Sequence, residues 1–269
     1  SSRYPYSEEG DWAGGRFGEA MDILAMMSFL ASTTSKVRLL SSVLVVPYRH
    51  PVLTAKMIAT IDKLSNGRVT IGCGAGWMEE EFIAVGAPPF DERGNSTDEY
   101  LEIFREIWTK ETPEYSGKYA SFSDIVTEPQ PQQSPLPILI GGESRPALRR
   151  AAKYGDGWYP IGYNPKFPLD TISRFKKRLD VLYVEAEKIG RDPKTISLTY
   201  NSTWYAGPSN PVDIDGERRL FTGNDDEIRG DLAALEELGV DSFMFRFVRK
   251  NMAETKAAMT RFAETYILS

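Results

Sequence analysis

Residues 37–76, VRLLSSVLVVPYRHPVLTAKMIATIDKLSNGRVTIGCGAG, contain the pattern that decides the fold. The run 37–46 is β-branched and aliphatic, which predicts a buried strand that ends at a proline. Pro51 suits the first turn of a helix, and Ser-Asn-Gly at 65–67 predicts the turn that ends it. A second strand at 68–72 then runs into a glycine-rich turn. The order is therefore strand, helix, strand and glycine loop.

The same alternation continues along the chain and gives six strand-then-helix units, with one further helix at 19–34 before the first strand. The four later strands are predicted at 136–140, 157–161, 196–206 and 240–248. Regular alternation predicts parallel strands with right-handed crossovers, either in an open doubly wound sheet or in a TIM (β/α)8-type barrel. A closed barrel needs eight units. Six units with a leading helix would make a barrel without its first strand, first helix and second strand.

Composition narrows the possible functions. The chain has 269 residues, of which 41% are hydrophobic, so it can form one large core or two small ones. Its formal charge is -6, with no basic run of the kind that binds nucleic acid. No stretch approaches the ~20 apolar residues of a membrane span. Nucleic acids and membranes are therefore not expected partners.

Two residue types bear on chemistry through their scarcity. The single cysteine, Cys73, excludes an intrachain disulfide and suits a reducing compartment, so we expect a cytoplasmic protein. The single histidine, His50, excludes a multi-histidine metal site, and we expect no metal. Its place at a helix start favours a cap or surface role over acid–base work.

Two segments are predicted to lie outside the alternating pattern of one barrel domain spanning 1–269. Residues 1–18 are rich in Gly, Ser and charge and predict a loop, with no apolar signal-peptide core. Residues 113–135 are polar and dotted with proline, which predicts an insertion between barrel units. Just before that insertion, Ser96 and Glu99 have the spacing of a capping box at a helix start.

Two glycine-containing turns are candidate ligand sites. The first, 72–76, is not a Rossmann fingerprint, because Trp77 stands where the third glycine would be. Read as the end of a barrel strand, its small residues would let a planar ligand approach the backbone. The second, 141–145, places N–H groups, a hydroxyl and a guanidinium near a helix N-terminus, as phosphate binding requires. A plain glycine turn with a serine cap explains it equally well.

Large side chains near these turns are candidate substrate contacts. Trp77, Trp158 and Tyr159 could line a pocket, although large aromatic residues belong more often to a core. Phenylalanines alternate in the last strand; if they pack on helices, Arg246 faces the interior and needs an anionic substrate or, more simply, a buried carboxylate as its partner. The acidic run around Glu80 suits either a ligand contact or a solvated helix start.

Longer motifs carry a family resemblance. The run 43–108, followed in order by LPILIGGES at 136–144 and AAKYGDGWYPIG at 151–162, resembles the luciferase-like flavin and deazaflavin oxidoreductases. Residues 218–263 are similar more loosely, so the resemblance covers about three quarters of the chain. It implies a TIM-type barrel that binds FMN or the deazaflavin F420 at the carboxyl ends of the strands. The PYRHP and GGES signatures resemble the F420-dependent branch.

The resemblance also implies particular site residues. A non-prolyl cis peptide is expected near Ser42–Val43, in the strand that corresponds to the third strand of the family. The cofactor-binding residues that it implies are Ser41, Ser42, Val43, Val45, Ala75, Gly76, Glu80, Gly141, Gly142, Ser144 and Arg145. Trp77, Trp158 and Arg246 are the candidate substrate contacts, and no catalytic acid or base is identified.

The function so implied is hydride transfer between F420, or alternatively FMN, and a small organic substrate, by a protein expected to be a homodimer. Two alternatives stay within the fold: an FMN-dependent monooxygenase that uses O2, and a cofactor-binding barrel without catalysis. A third is an unrelated barrel lyase or hydrolase that uses a carboxylate pair such as Glu80 and Asp156.

Overall fold

The computed structural model describes residues 21–202, 205 and 207–268, so the loop predicted at 1–18 lies outside the described residues. The helices are α1 (Ile23–Thr33), α2 (Pro51–Leu64), α3 (Glu79–Val85), α4 (Arg93–Thr109), α5 (Arg145–Tyr154), α6 (Ile172–Glu187), α7 (Asp225–Glu237) and α8 (Met252–Tyr266). The strands are β1 (Leu39–Val45), β2 (Val69–Gly74), β3 (Tyr115–Ser116), β4 (Ser121–Phe122), β5 (Ile138–Gly141), β6 (Gly157–Tyr159), β7 (Ser197–Ser202), β8 (Asp213–Ile214), β9 (Glu217–Arg218) and β10 (Val240–Phe245).

Six of these strands form one parallel sheet in the order β1-β2-β5-β6-β7-β10. Each strand therefore pairs with the next sheet strand along the chain. A doubly wound sheet would reverse its order at a switch point, and this sheet does not. The strands curl into a half-barrel of the α/β class, which confirms the predicted TIM-type architecture and the count of six units.

The core lies between the sheet and the helices. In β2 the side chains of Ile71 and Cys73 are fully buried, and they alternate with glycines that face the other way. Trp108 links α4 to α2, because its indole N–H donates to the carbonyl oxygen of Ala55 at 3.0 Å. The described helices thus pack on one face of the sheet.

The capping box predicted at Ser96 and Glu99 is wrong. The helix α4 begins at Arg93, so Ser96 is buried within it and its hydroxyl bonds back to carbonyl oxygens of the preceding turn. The Glu99 carboxylate instead accepts the backbone N–H groups of residues 118–120, each at 2.8 Å. The Glu99 side chain, which the local pattern assigned to a cap, therefore makes a long-range contact instead.

Those N–H groups belong to the predicted insertion, which lies between α4 and β5 and contains the β3–β4 hairpin. Its far end is held by Asp62, a fully buried residue whose carboxylate accepts the backbone and side-chain N–H groups of Gln133 at 2.9 and 2.8 Å. Glu99 and Asp62 thus tie the insertion to the helical layer. Across the described part of the chain, no helix has the length and apolar character needed to cross a membrane.

Candidate functional site

The carboxyl ends of the parallel strands form the edge where barrel proteins place ligand sites. One register row crosses four strands at this edge. Val45 pairs with Gly74, and Gly141 pairs with Tyr159. Gly74 and Gly141 are level because the residues just before them pair with each other. The middle of the row therefore lacks side chains.

The strand β1 bulges at this edge. Its pairing with β2 shifts register between Ser41 and Leu44, and the peptide bond between Ser42 and Val43 is cis. This confirms the non-prolyl cis peptide expected from the family resemblance. Ser41 is buried, with its hydroxyl bonded to the Gly72 carbonyl oxygen, whereas Ser42 is exposed at the concave face.

Gly72 and Gly74 are required by this bulge, and Gly76 is required by the close packing of Phe82. A Cβ at Gly72 would overlap the carbonyl oxygen of Ser41, and one at Gly74 would lie 2.8 Å from a methyl group of Val43. Gly76 has a φ of +80°, and a Cβ there would lie 2.6 Å from the Phe82 ring. The interpretation that these small residues clear a path for a ligand needs correction, since side chains and backbone of the protein already occupy the space.

A polar chain spans the concave face. The hydroxyls of Ser42 and Tyr159 are 2.9 Å apart, and the Asn201 Nδ2 lies 3.3 Å from the same Tyr159 oxygen. Tyr159 is 3% exposed, and burial raises the pKa of its hydroxyl, which therefore stays protonated at neutral pH. Sequence reasoning treated Tyr159 only as a possible pocket aromatic and missed Asn201. An asparagine within a predicted buried strand was the available signal.

Asn201 also has an unused acceptor. Tyr200 points to the helical side, where it packs on Phe175 and Phe221, so Asn201 points to the concave side. Asn201 is 7% exposed, and its Oδ1 has no hydrogen-bond partner among residues 21–202, 205 and 207–268. A buried carbonyl oxygen without a donor costs about 1–3 kcal/mol. A ligand N–H at this position would remove that cost.

The turn 141–145 forms the N-terminus of α5. Gly142 has a φ of +98°, and Ser144 stands at the N-cap without using its hydroxyl to cap the helix. The first N–H groups of a helix have no partner within it and carry a partial positive charge, which suits an anion. Arg145 does not join them, because its Nε bonds to Glu185 of α6 at 2.9 Å. The contact of Arg145 with a phosphate, which the sequence led us to expect, stays a prediction.

Glu143 fixes the shape of this turn. It is almost fully buried and accepts the Ile161 N–H at 2.7 Å and the Asn164 side-chain N–H at 2.6 Å. Burial raises the pKa of the Glu143 carboxyl, and the two hydrogen bonds oppose that shift only in part. Sequence reasoning quoted this residue within the turn and gave it no role of its own. Its carboxylate links the turn after β5 to the loop after β6.

The predicted substrate contact at Trp158 is wrong. Trp158 is fully buried, stacks on Phe175 of α6 and donates its indole N–H to the Gly142 carbonyl oxygen at 2.9 Å. It belongs to the helical side of the sheet, while its neighbour Tyr159 faces inward. Trp77 is half-buried directly after the glycine turn, where the prediction placed it.

Arg246 is exposed just beyond β10. The alternating phenylalanines pack toward α8, as Phe245 and Phe247 do on Phe262, and this places Arg246 on the opposite face as predicted. Because its side chain is exposed, the expected need for a buried carboxylate partner disappears.

The carboxylates of Glu80 and Asp156 do not converge. Glu80 is exposed in the first turn of α3, beyond the carboxyl end of β2. Asp156 precedes β6, at the amino end of the sheet, and pairs with Arg105 at 2.6 Å. The carboxylate pair of the lyase or hydrolase alternative is therefore wrong, because its members lie at opposite ends of parallel strands. His50 is exposed and its side chain caps nothing, in agreement with a surface role.

A sequential parallel half-barrel with a bulged strand and a helix N-terminus at its carboxyl edge defines a protein of the (β/α)-barrel class. Residues 8–212 match the model of the luciferase-like monooxygenases, and the chain belongs to this family. The family comprises flavin- or F420-dependent oxidoreductases and monooxygenases.

Individual relatives agree with this assignment. An uncharacterised protein of Mycobacterium tuberculosis is 32% identical over 156 residues, which cover 58% of this chain and 55% of that protein. An FMNH2-dependent dimethylsulfone monooxygenase of Pseudomonas putida is 35% identical over 168 residues, covering 61% of this chain and 44% of that protein. The chain thus spans about half the length of these curated relatives.

A solved structure shows the same fold. An F420-dependent secondary alcohol dehydrogenase, in complex with an F420-acetone adduct, superposes with a TM-score of 0.75. The sequences are 17% identical, and the match covers 93% of this chain and 85% of that chain.

Proposed function

We propose that this chain binds the ring of F420, with FMN as the alternative, on the concave face and supports hydride transfer between that ring and a small organic substrate. The observation that carries the proposal is the buried, unpartnered Oδ1 of Asn201 beside the Tyr159 hydroxyl, at the edge where barrel ligands bind. A flavin or deazaflavin ring has an imide N–H that such an acceptor fits.

The phosphate end of the cofactor also fits. The N-terminus of α5 offers backbone N–H groups and the uncommitted Ser144 hydroxyl. We assign the phosphate to these groups and leave Arg145 with Glu185, its partner in the structure. The bound ring supplies the hydride chemistry itself. The protein contributes orientation: Ser42, Val43 and Tyr159 face the ring, and Tyr159 keeps its proton because burial raises the pKa of its hydroxyl.

F420 is the first candidate because the PYRHP and GGES signatures resemble the F420-dependent branch, and an F420-dependent dehydrogenase shares the fold. FMN is the second candidate because the Pseudomonas putida relative, at 35% identity, is an FMNH2-dependent monooxygenase. An FMN-binding chain would favour an oxygen-using reaction, and binding without turnover would favour the non-catalytic barrel.

Fluorescence titration of the purified protein with F420 and FMN separately tests the proposal. We expect selective binding of F420. Riboflavin, which has the FMN ring and lacks the phosphate, isolates the contribution of the α5 site. Absence of binding to either cofactor would overturn the proposed function.

A matched pair of variants tests the phosphate assignment. Ser144→Ala is expected to weaken binding of the phosphorylated cofactors about tenfold, through loss of one hydrogen bond to a charged group. Arg145→Ala, at the next residue, is expected to leave the dissociation constant unchanged, because its guanidinium bonds to Glu185. Equal loss in both variants would contradict the assignment and favour a phosphate bound between the two side chains.

A further inference from the structure

We propose that Tyr159 and Asn201 are positioning residues that direct the Ser42 hydroxyl proton outward, so that the concave face presents a donor at Ser42 and an acceptor at Asn201 Oδ1. The ligand chemistry that matches is an imide edge, in which a carbonyl oxygen and an N–H are neighbours. This inference rests on the proposed function and assigns the polar edge of its cofactor to these residues.

The direction of the chain is part of the proposal, and the burial of the Tyr159 hydroxyl favours it. The amide nitrogen of Asn201 has only protons to offer, so at 3.3 Å it donates to the Tyr159 oxygen. Either hydroxyl could donate across the 2.9 Å between Ser42 and Tyr159; we assign the donation to Tyr159, because its buried hydroxyl proton has no other acceptor among the described residues. Ser42 thereby accepts from Tyr159, and its own proton is left to point elsewhere. Because Ser42 is exposed on the concave face, that proton is available to a ligand.

The other end of the chain supplies the acceptor. The Nδ2 of Asn201 is engaged by Tyr159, and this orientation of the amide leaves Oδ1 as the atom without a donor in the described part of the chain. One hydrogen-bonded chain therefore ends in a free proton at Ser42 and a free lone pair at Asn201. Tyr159 connects the two ends, because it accepts from Asn201 and, in this proposal, donates to Ser42.

The row of glycines makes this geometry accessible. Tyr159 lies on β6 and Ser42 on β1, with two strands between them. Gly74 and Gly141 occupy the register positions in those two strands, and the side chain that lies over both glycines is Val43 of β1 itself. The side chain of Tyr159 can then cross the concave face and reach the bulge.

A double-mutant cycle on cofactor binding tests the inference. The dissociation constants of F420 and FMN are measured by fluorescence titration for Ser42→Ala, Asn201→Ala and the double variant, first with Tyr159 present and then in a Tyr159→Phe background. With Tyr159 present, each single change is expected to weaken binding about tenfold and the double variant by clearly less than the product. In the Tyr159→Phe background the two effects are expected to multiply.

Two further variants separate positioning from structure. Asn201→Asp keeps the shape of the side chain but, when ionised, offers no proton to Tyr159. In the Asn201→Asp background, as in the Asn201→Ala background, Ser42→Ala is therefore expected to weaken cofactor binding by clearly less than tenfold. Ser202→Ala is the control, because Ser202 is fully buried, also lacks a hydrogen-bond partner among the described residues and points to the helical side. It is expected to leave cofactor affinity unchanged.

The outcomes are distinguishable. If the wild-type protein binds neither cofactor, the proposed function fails and this inference fails with it. If the wild type binds and the single variants bind equally well, the proposed function stands and the inference is overturned. If the double variant in the Tyr159→Phe background still weakens binding by less than the product of the single effects, the inference is also overturned. A full tenfold effect of Ser42→Ala in the Asn201→Asp background would overturn it as well. Near-ultraviolet circular dichroism of each variant shows that the affinities compare folded proteins.

Discussion

Alanine substitutions at Gly72 and Gly74 of β2 test whether these glycines serve the β1 bulge. At Gly72 the added methyl group would overlap the Ser41 carbonyl oxygen, which is backbone and is held by the pairing of Ser41 with Ile71. At Gly74 it would lie 2.8 Å from a methyl group of Val43, which is the movable end of a side chain. The two substitutions add the same methyl group, but one meets backbone that cannot easily move and the other meets a side chain that can.

The structure therefore predicts a graded series. Overpacking typically costs 1–3 kcal/mol and more where the backbone must move, so we expect Gly72→Ala to cost about 3 kcal/mol or more and Gly74→Ala about 1–2 kcal/mol. Gly230 is the control, since it lies within α7 and a Cβ there meets nothing within 4 Å. Gly230→Ala is expected to stabilise the protein by about 0.5–1 kcal/mol, through helix propensity.

Removal of the obstacle should rescue one variant and not the other. Val43→Ala deletes the methyl groups that the Gly74→Ala side chain meets, so the double variant is expected to be about 1 kcal/mol more stable than the sum of the two single losses. The same change should relieve Gly72→Ala much less, because the nearest atom there is the Ser41 oxygen.

Urea unfolding followed by far-ultraviolet circular dichroism measures these differences as shifts of the midpoint at constant slope. Gly72→Ala as stable as Gly230→Ala would refute the argument from backbone overlap. Strictly additive losses for Val43→Ala and Gly74→Ala would refute the contact between them. If Gly74→Ala weakened cofactor binding without loss of stability, the absence of a side chain at Gly74 would serve the ligand and not the bulge.

Three further predictions concern buried groups. Trp158→Phe is expected to cost about 2–3 kcal/mol in thermal unfolding, through lost packing and the lost bond to Gly142, and unchanged stability would restore a pocket role. Burial raises the pKa of Glu143 above its ordinary 4.5, so the folded state binds its proton more tightly than the unfolded chain. The free energy of unfolding should therefore fall as pH rises from about 4.5 through the raised pKa, and Glu143→Gln, compared by urea midpoints across that range, should remove this contribution. Burial also raises the pKa of the Cys73 thiol to about 12, so at pH 8 a thiol reagent should label it only after unfolding, and rapid labelling of the native protein would contradict its burial.

Much of the fold was predictable because its signals are local. The aliphatic run 37–46, the helix signals after Pro51 and the repeated alternation predicted six parallel units, and the structure has six. The alternating phenylalanines correctly predicted which face of β10 meets a helix, since side chains along a strand alternate strictly. The choice between a doubly wound sheet and a barrel was not local, because it depends on which strands become neighbours.

The site was less predictable, because its contacts join distant positions. Ser42 and Tyr159 are 117 residues apart, and Glu143 meets Asn164 across two elements. In a strand as short as β6, alternation does not say whether Trp158 or Tyr159 faces the helices.

By itself, the sequence determined the α/β class, the order of the units and, through family resemblance, the cis peptide at Ser42–Val43 at the carboxyl edge of the sheet. Only the tertiary structure decided which polar groups meet there. It placed Asn201 beside Tyr159 and paired Arg145 with Glu185. The physical reason is that backbone pattern is encoded within a few residues, whereas a hydrogen-bond partner is set by how the sheet curls and brings separate strands together.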